Sequence, residues 1–526
     1  MEKLDVQIQP KLKKIALYTL IFMALLHGYR YVSLGFSHDS LAFAWQPDLE
    51  WQISLGRYMQ PLYWWIIRGR IAAPFIVGVL SYGYMVGSVY GVASLLDLKA
   101  KTSLFLLAGL MCGSLAFIAL DATYSHTADV YMLALMLNIA AAWLCLRGRR
   151  RVPSVLAAVV LLVISTGLYQ AYLQVFTALT MVWALLRLLK TDDRAIPEAV
   201  ARCAQSFLAL MLAMALFFVG YYVVMAVTGV EAVSRENSIG GMKVLSGAAL
   251  VDMVKTTWKM PLWKLKRLQG RIAPLARMLT AVVLMTGAAA TIFTARRSRV
   301  SAWQALGMAV LALLLPFGMN WICLFCSGAV HDLMMYAYIV PLLAALAANE
   351  RAWNLALADE GKQIGKKTRA AACVLPLAVL TLLFDRGIYA NQMYLKKDLE
   401  YDATLSVMTR VVDRIEQVEG YIPGETPVKF LGDIQRSQLA MTRPAFAHLD
   451  SLTGTEENYA ITYGDTFWMY LEDVMGYPIK RFRETKNEEQ ERVTDDMPCF
   501  PDKDSVQMVD GVVFVKLCRW WTAWFL

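Results

Sequence analysis

Residues 206–228 read SFLALMLAMALFFVGYYVVMAVT, without one charged side chain. A helix needs about 20 mostly apolar residues to cross a hydrocarbon core near 30 Å. Inside that core every backbone polar group must be satisfied within the protein, which a helix does by itself. The stretch therefore reads as a membrane span. Comparable runs lie to either side: 15–36, 71–96, 102–120, 129–146, 153–167 and 169–189 before it, then 277–295, 302–319, 333–349 and 370–387 after it. Only Ser165-Thr166-Gly167 separates the fifth run from the sixth, so that pair reads as a hairpin with its tip at a membrane face. The expected fold is an α-helical polytopic membrane protein of about 11 spans.

Composition agrees. Of 526 residues, 58% are hydrophobic and 18% charged, against roughly 45–50% and 25% in soluble domains. Mean hydropathy is +0.45. A soluble enzyme of this size would have nowhere to hide that surface, and disordered or fibrous classes fall with it. The net charge of +9 divides unevenly, with +17 on residues 1–387 and −8 on 388–526. Two domains are expected: a membrane domain at 1–387 and a small C-terminal α/β domain at 388–526. In the latter, Leu395–Glu419 carries Val407, Val411, Val412 and Ile415 at helical spacing. Val428–Leu431 and Val512–Val515 read as strands, the second entered through the turn Asp510-Gly511, and Thr466–Val474 reads as a helix ended by Gly476 and Pro478.

Orientation follows from the basic residues of the short loops. Lys11, Lys13 and Lys14, then Arg147, Arg149, Arg150 and Arg151, then Arg296, Arg297 and Arg299, and finally Lys362, Lys366, Lys367 and Arg369 all fall on one side. The loops 121–128 and 320–332 between them hold no Lys or Arg. The N-terminus is expected inside and the C-terminus outside, so 388–526 becomes extracytoplasmic. Met1–Pro10 is polar and no small-residue cleavage site follows the first span, which is expected to stay as an anchor. Two long outer loops, 37–70 and 230–276, mix aromatic with basic residues: Trp45, Trp51, Tyr58, Tyr63, Trp64 and Trp65 in one, Trp258, Trp263, Lys264, Lys266, Arg267 and Arg271 in the other. Such mixtures suit helices lying at the headgroup level, and membrane anchoring alone accounts for most of these side chains.

Charged residues are missing from the middle of every span, whereas ion-coupled transporters and proton relays keep them there. No Walker-type phosphate loop, Gly-x-Gly-x-x-Gly, His-Glu-x-x-His or Gly-x-Ser-x-Gly occurs. Chemistry is therefore expected at a membrane face, on a substrate that arrives through the bilayer. The outer face gathers Gly35-Phe-Ser-His-Asp39-Ser40, then Asp48, Glu50 and Arg57, the polar run Asp121-Ala-Thr-Tyr-Ser-His126-Thr-Ala-Asp129, the tip Tyr169-Gln170, and His331-Asp332. Asp39 serves equally as a helix cap or as a base taking the proton of an attacking hydroxyl. Asp48 and Glu50 read as solvated or salt-bridged, Thr127, Asp129, His331 and Asp332 as helix starts, and Tyr169 and Gln170 as interfacial residues. Cys323 and Cys326 read as core filler and Cys499 with Cys518 as a possible disulfide. Carboxylates, histidines and cations on one face would suit transfer of a sugar from a polyprenyl phosphate, where Arg or Lys steadies the leaving phosphate.

Asp39, the run Trp51-Gln-Ile-Ser-Leu-Gly-Arg57, the polar loop Asp121–His126, the Tyr169-Gln170 tip and the helix near Asn391–Glu419 together resemble the bacterial O-antigen glucosyltransferase II family, polytopic enzymes of the GT-C glycosyltransferase type. The resemblance covers most of 1–420. It implies transfer of a hexose, glucose, from a polyprenyl-phosphate donor to a surface polysaccharide or lipid-linked glycan, at the extracytoplasmic face of the bacterial cytoplasmic membrane. The family's essential acid falls on Asp39. Arg57, Lys266 and Arg271 are then the donor-phosphate candidates, and Asp121, His126, Tyr169, Gln170 and His331 the substrate-binding ones. His38-Asp39-Ser40 offers one carboxylate where a pair is often found, so no metal or other cofactor is assigned. Partners are the lipid donor, the glycan acceptor and the bilayer, with no nucleic acid. A lipid-linked oligosaccharide flippase and a non-catalytic accessory subunit remain the alternative classes.

Overall fold

The computed structural model describes residues 2–35, 37, 40–41, 48–233, 247–326, 328, 330–360, 365–432, 449 and 466–517. Asp39, Trp45, Lys362 and Cys518 lie outside the described residues. Every run expected to span forms helix. In order these are α1 (Glu2–Val32), α4 (Pro74–Leu95), α5 (Lys101–Cys112) with α6 (Leu115–Thr123), α7 (Ala128–Arg147), α8 (Arg151–Leu168), α9 (Leu173–Leu188), α10 (Ala195–Thr228), α12 (Ala273–Arg297), α13 (Ala302–Gly318), α14 (Val340–Glu360) and α15 (Lys366–Glu416). The long loops contribute α2 (Leu49–Ser54) and α3 (Met59–Tyr63) before α4, and α11 (Gly247–Lys266) before α12. Among the described residues, eight helices are long and apolar enough to cross a membrane, or nine if the bent α5–α6 pair is one span. Two of the eleven expected spans fall short of that test. α13 has 17 residues, and α14 carries Glu350 and Arg351 in its middle.

The third span breaks at Gly113-Ser114, where α5 and α6 meet at 41°. A break leaves the last carbonyls of α5 without helical partners, and in an apolar interior they must be satisfied. Three buried side chains do this. Tyr336 Oη donates to Met111 O at 2.7 Å, His27 Nε2 meets Cys112 O at 3.0 Å, and Arg386 Nη1 donates to Gly113 O at 2.7 Å. Close approach of α1, α5 and α15 rests on Gly109, where a Cβ would run into Phe22 and Leu383.

The boundary expected at 387/388 lies inside α15, which continues unbroken for 51 residues. Gly387 stands at that point, and an interior Gly costs a helix only about 1 kcal/mol. Asn391 ties that turn to α1 by donating to both Gly387 O and Leu25 O. At about 1.5 Å per residue the helix is roughly 75 Å long, more than twice a hydrocarbon core of ~30 Å. Its far part packs Val407, Val411 and Ile415 into the same core as Val428, Val513 and Val515. Those valines belong to a four-stranded mixed sheet in the order β2-β1-β4-β3, formed by β1 (Pro427–Leu431), β2 (Lys480–Arg481), β3 (Val506–Val509) and β4 (Val512–Lys516). β1 runs parallel to β2 and β4, while β3 and β4 form a hairpin through Asp510 and Gly511, both at positive φ. Thr466–Met469 is helical (α16) and passes into a π turn at Tyr470–Val474. β2 is two residues long, and the helix α17 (Glu488–Asp496) is almost wholly polar, held by a capping box between Asn487 and Gln490. Neither has a hydrophobic period to announce it.

Candidate functional site

The polar run 121–129 closes α6 and opens α7 through a short 3-10 turn at Ser125–Thr127. Helix ends expose carbonyls, and here the first long loop supplies the donors. Ser37 and Ser40, both fully buried, donate to Thr123 O, the latter at 3.0 Å. Ser40 Oγ also lies 3.4 Å from Ser125 Oγ and from His126 Nδ1. Asp39 itself is outside the described residues, but the serines around it are seated on this turn.

Asp121 has a different setting from the one expected of a substrate ligand. It is fully buried, 2.7 Å from His27 Nδ1, and accepts from Tyr31 Oη at 3.0 Å. Its carbonyl accepts from Arg30 Nε at 2.8 Å, and Arg30 reaches on to Ser125 Oγ at 2.7 Å. Tyr394 of α15 adds a contact to His27 at 2.9 Å. The carboxylate thus joins α1, α6 and α15 from within.

A second group forms where α2 and α3 meet the α8–α9 tip. Tyr131 and Tyr169 stack with centroids 3.7 Å apart, and the Arg57 guanidinium lies 5.9 and 5.4 Å from the two rings. Such a placement suits a cation that has given up water on one side. No carboxylate among the described residues pairs with Arg57, and its Nε is buried without a partner. Gln170 Nε2 donates to Leu55 O at 3.1 Å and Gln60 Nε2 to Leu168 O at 2.8 Å, stitching loop to tip. Arg68 donates to His126 O at 2.7 Å and pairs with Asp129 at 3.3 Å, while Tyr63 donates to Asp129 at 2.8 Å. Burial, then the Asp129 charge, pushes the Tyr63 hydroxyl well above its ordinary value, so it stays a donor. His126 sits within Coulombic reach of Arg68, Arg57 and Arg30. The structure therefore gathers Ser37, Ser40, Arg57, His126, Tyr169 and Gln170 around one set of helix ends. In the sequence Tyr63 is one of the loop aromatics and Arg68 carries no reading, because their shared partner Asp129 lies more than 60 residues away. Asp48 caps α2, accepting from Trp51 N at 2.9 Å.

The remaining candidates border a cavity of about 460 Å³ enclosed by α11, α12, α13, α14 and the start of α6. Its wall is mostly apolar, with Leu262, Leu284 and Leu315 among the lining residues, and it holds three cations, Lys264, Arg267 and Arg386, to one carboxylate, Asp332. Lys264 bridges Asp332 at 2.7 Å, and Arg267 lies 4.2 Å over the Trp263 ring. Lys266 and Arg271 are not among the lining residues. Lys266 is exposed, and Arg271 faces Asp385 at 3.9 Å. His331 precedes the 3-10 turn Asp332–Met334, which packs on α6.

Long apolar helices, with polar turns and cations collected at their ends, define a helical membrane protein with a binding cavity and a polar loop site. The family model described as Glucosyl transferase GtrII matches residues 31–342, and the chain belongs to that family. Membership makes it a glycosyltransferase. The match takes in the loop site and ends in the first turn of α14, so Arg386 and Asp398 on α15 lie beyond it. No curated protein and no solved structure matches the chain.

Proposed function

We propose that this protein moves a glucosyl residue from a polyprenyl-phosphate-linked donor to a surface polysaccharide or lipid-linked glycan, at the extracytoplasmic face of the bacterial cytoplasmic membrane. Asp39 is the base. Its carboxylate takes the proton of the acceptor hydroxyl as that oxygen bonds to the anomeric carbon and the bond to the lipid phosphate breaks. His126, Tyr169 and Gln170 line the acceptor side, and Arg57 orients the first long loop against the α8–α9 tip. The observation that carries the reading is the seating of Ser37 and Ser40 on Thr123, which puts the neighbours of Asp39 beside His126 in a chain of the glucosyl transferase family.

The test is the mass and sugar composition of the surface glycan from cells lacking the protein, supplied with wild type or Asp39→Asn. Wild type should add a hexose and the variant, expressed to the same level, should add none. A normal increment with Asp39→Asn would make Asp39 a cap and remove it from the chemistry.

A further inference from the structure

The Arg386 side chain is buried, at 3% exposure, in the wall of the 460 Å³ cavity. Among the described residues its one hydrogen bond is from Nη1 to Gly113 O. Its Nε is buried without an acceptor, and no carboxylate among the described residues pairs with it. The neighbouring Asp385 lies within Coulombic reach of Arg386 without a direct ion pair, and its Oδ1 accepts from Ile272 N at 3.0 Å. A buried guanidinium with one carbonyl acceptor and no directly bonded carboxylate is costly, because its water is gone and is only partly replaced. An anion in the cavity would supply what is missing.

Two further features favour an anion there. Ser114 and Leu115 line the cavity at the N-terminus of α6, where Ser114 makes no side-chain cap bond and the helix end carries partial positive charge. Arg267 and Lys264 add cations, and among the described residues only Lys264 of the two is matched by a carboxylate, Asp332. Most of the rest of the wall is apolar, with Leu262, Leu265, Leu284, Leu315, Pro316 and Met335 beside the polar Gln269, Thr280 and Tyr338, which suits a hydrocarbon chain better than a free, hydrated ion. A site that is cationic at one end and apolar elsewhere fits an amphiphile with an anionic head.

We infer that this cavity seats the phosphate head and first isoprene units of an isoprenoid lipid phosphate, with Arg386 and Arg267 on the phosphate. The inference rests on the proposed use of a lipid-phosphate donor and locates that donor's lipid end. Ala116 at the cavity and Thr123 at the loop site are joined by α6, about 10 Å of helix at ~1.5 Å per residue, so one rigid element would connect the lipid head with the Asp39 loop.

The experiment measures binding of farnesyl phosphate to the purified full-length protein in neutral detergent, with farnesol and inorganic phosphate as comparators. Wild type should bind farnesyl phosphate and bind either fragment at least about tenfold more weakly. Arg386→Gln and Arg267→Ala should each lose about tenfold, Arg386→Lys should recover part of it, and Leu315→Trp, which fills the apolar end, should abolish binding. Leu315→Trp leaves the Gly113 contact of Arg386 intact, so it tests the cavity even if Arg386→Gln fails to fold. Farnesol binding as tightly as farnesyl phosphate, inorganic phosphate binding as tightly, or wild-type binding by a folded Leu315→Trp protein would each overturn the assignment. Hexose addition to the cell-surface glycan, scored in parallel, separates the two claims. Hexose addition without cavity-dependent binding removes the lipid seat alone, and cavity-dependent binding without hexose addition removes the transfer reading alone.

Discussion

Asp121 and Asp39 lie in polar stretches that look alike on paper; Asp39 is the base of the proposed reaction, whereas Asp121 is buried among side chains of its own fold. The Asp121 carboxylate is enclosed by His27 and Tyr31, with no exposed surface left for a sugar. Removing one partner of a buried pair strands the other, at a cost of about 3–5 kcal/mol. Asp121→Ala should therefore lower the melting temperature in detergent, with activity falling only as folded protein is lost. A variant as stable as wild type but unable to transfer sugar would move Asp121 into the substrate site. Arg57 presents the converse case. It lies over two tyrosines and has no carboxylate partner among the described residues, a setting in which charge is kept available.

At the scale of elements, α15 does more than end the membrane part. Asp398, three turns beyond Arg386, accepts from Tyr29 Oη and from Gly35 N at 2.8 Å. A Cβ at Gly35 would run into that carboxylate. The helix thereby grips the chain four residues before Asp39. If the loop carries the base as proposed, Asp398→Asn should lower kcat while leaving donor KM near its wild-type value, because the loop moves and the cavity does not. Asp398→Glu should recover part of the rate if the carboxylate grip is what matters. Donor KM rising in step with the loss of kcat would argue against a role confined to the loop. The α5–α6 break has the same logic. Its free carbonyls recruit His27, Tyr336 and Arg386 from three other helices, so a kink in one span organises side chains from all of them.

Across the whole molecule, the Lys and Arg of the short loops at 147–151 and 296–299, against none in 121–128 and 320–332, support the proposed orientation, with those basic loops inside and the sheet-bearing tail outside. That orientation makes a direct prediction. In a background without native cysteines, Glu484→Cys should react with a membrane-impermeant thiol reagent in intact spheroplasts, and Arg150→Cys only after the membrane is opened. Both positions are exposed. Labelling in the reverse order would invert the protein and place Asp39 on the cytoplasmic side.

Most of the expected spans were legible as helix because a long apolar run in a hydrocarbon core admits one backbone solution. The two that fall short are a short helix and one with charges at its middle. Short apolar runs and turn residues likewise made β1, β4 and the Asp510-Gly511 turn that enters β4 readable. Such patterns did not reach α17 or β2, which are held by a capping box and by pairing with a distant strand. Nor did they reach the division of the cations. Lys266, Arg271, Arg267 and Arg386 are equivalent charges in a string of letters. Which of them is solvated, which faces a carboxylate, and which is left in an apolar wall with an unsatisfied nitrogen depends on helices that meet from 70 to 270 residues away. Span and strand came from local hydrophobic pattern. The cavity, the paired Asp121 and the unpaired Arg386 came only from packing, because burial and counter-ions are properties of neighbours rather than of neighbouring letters.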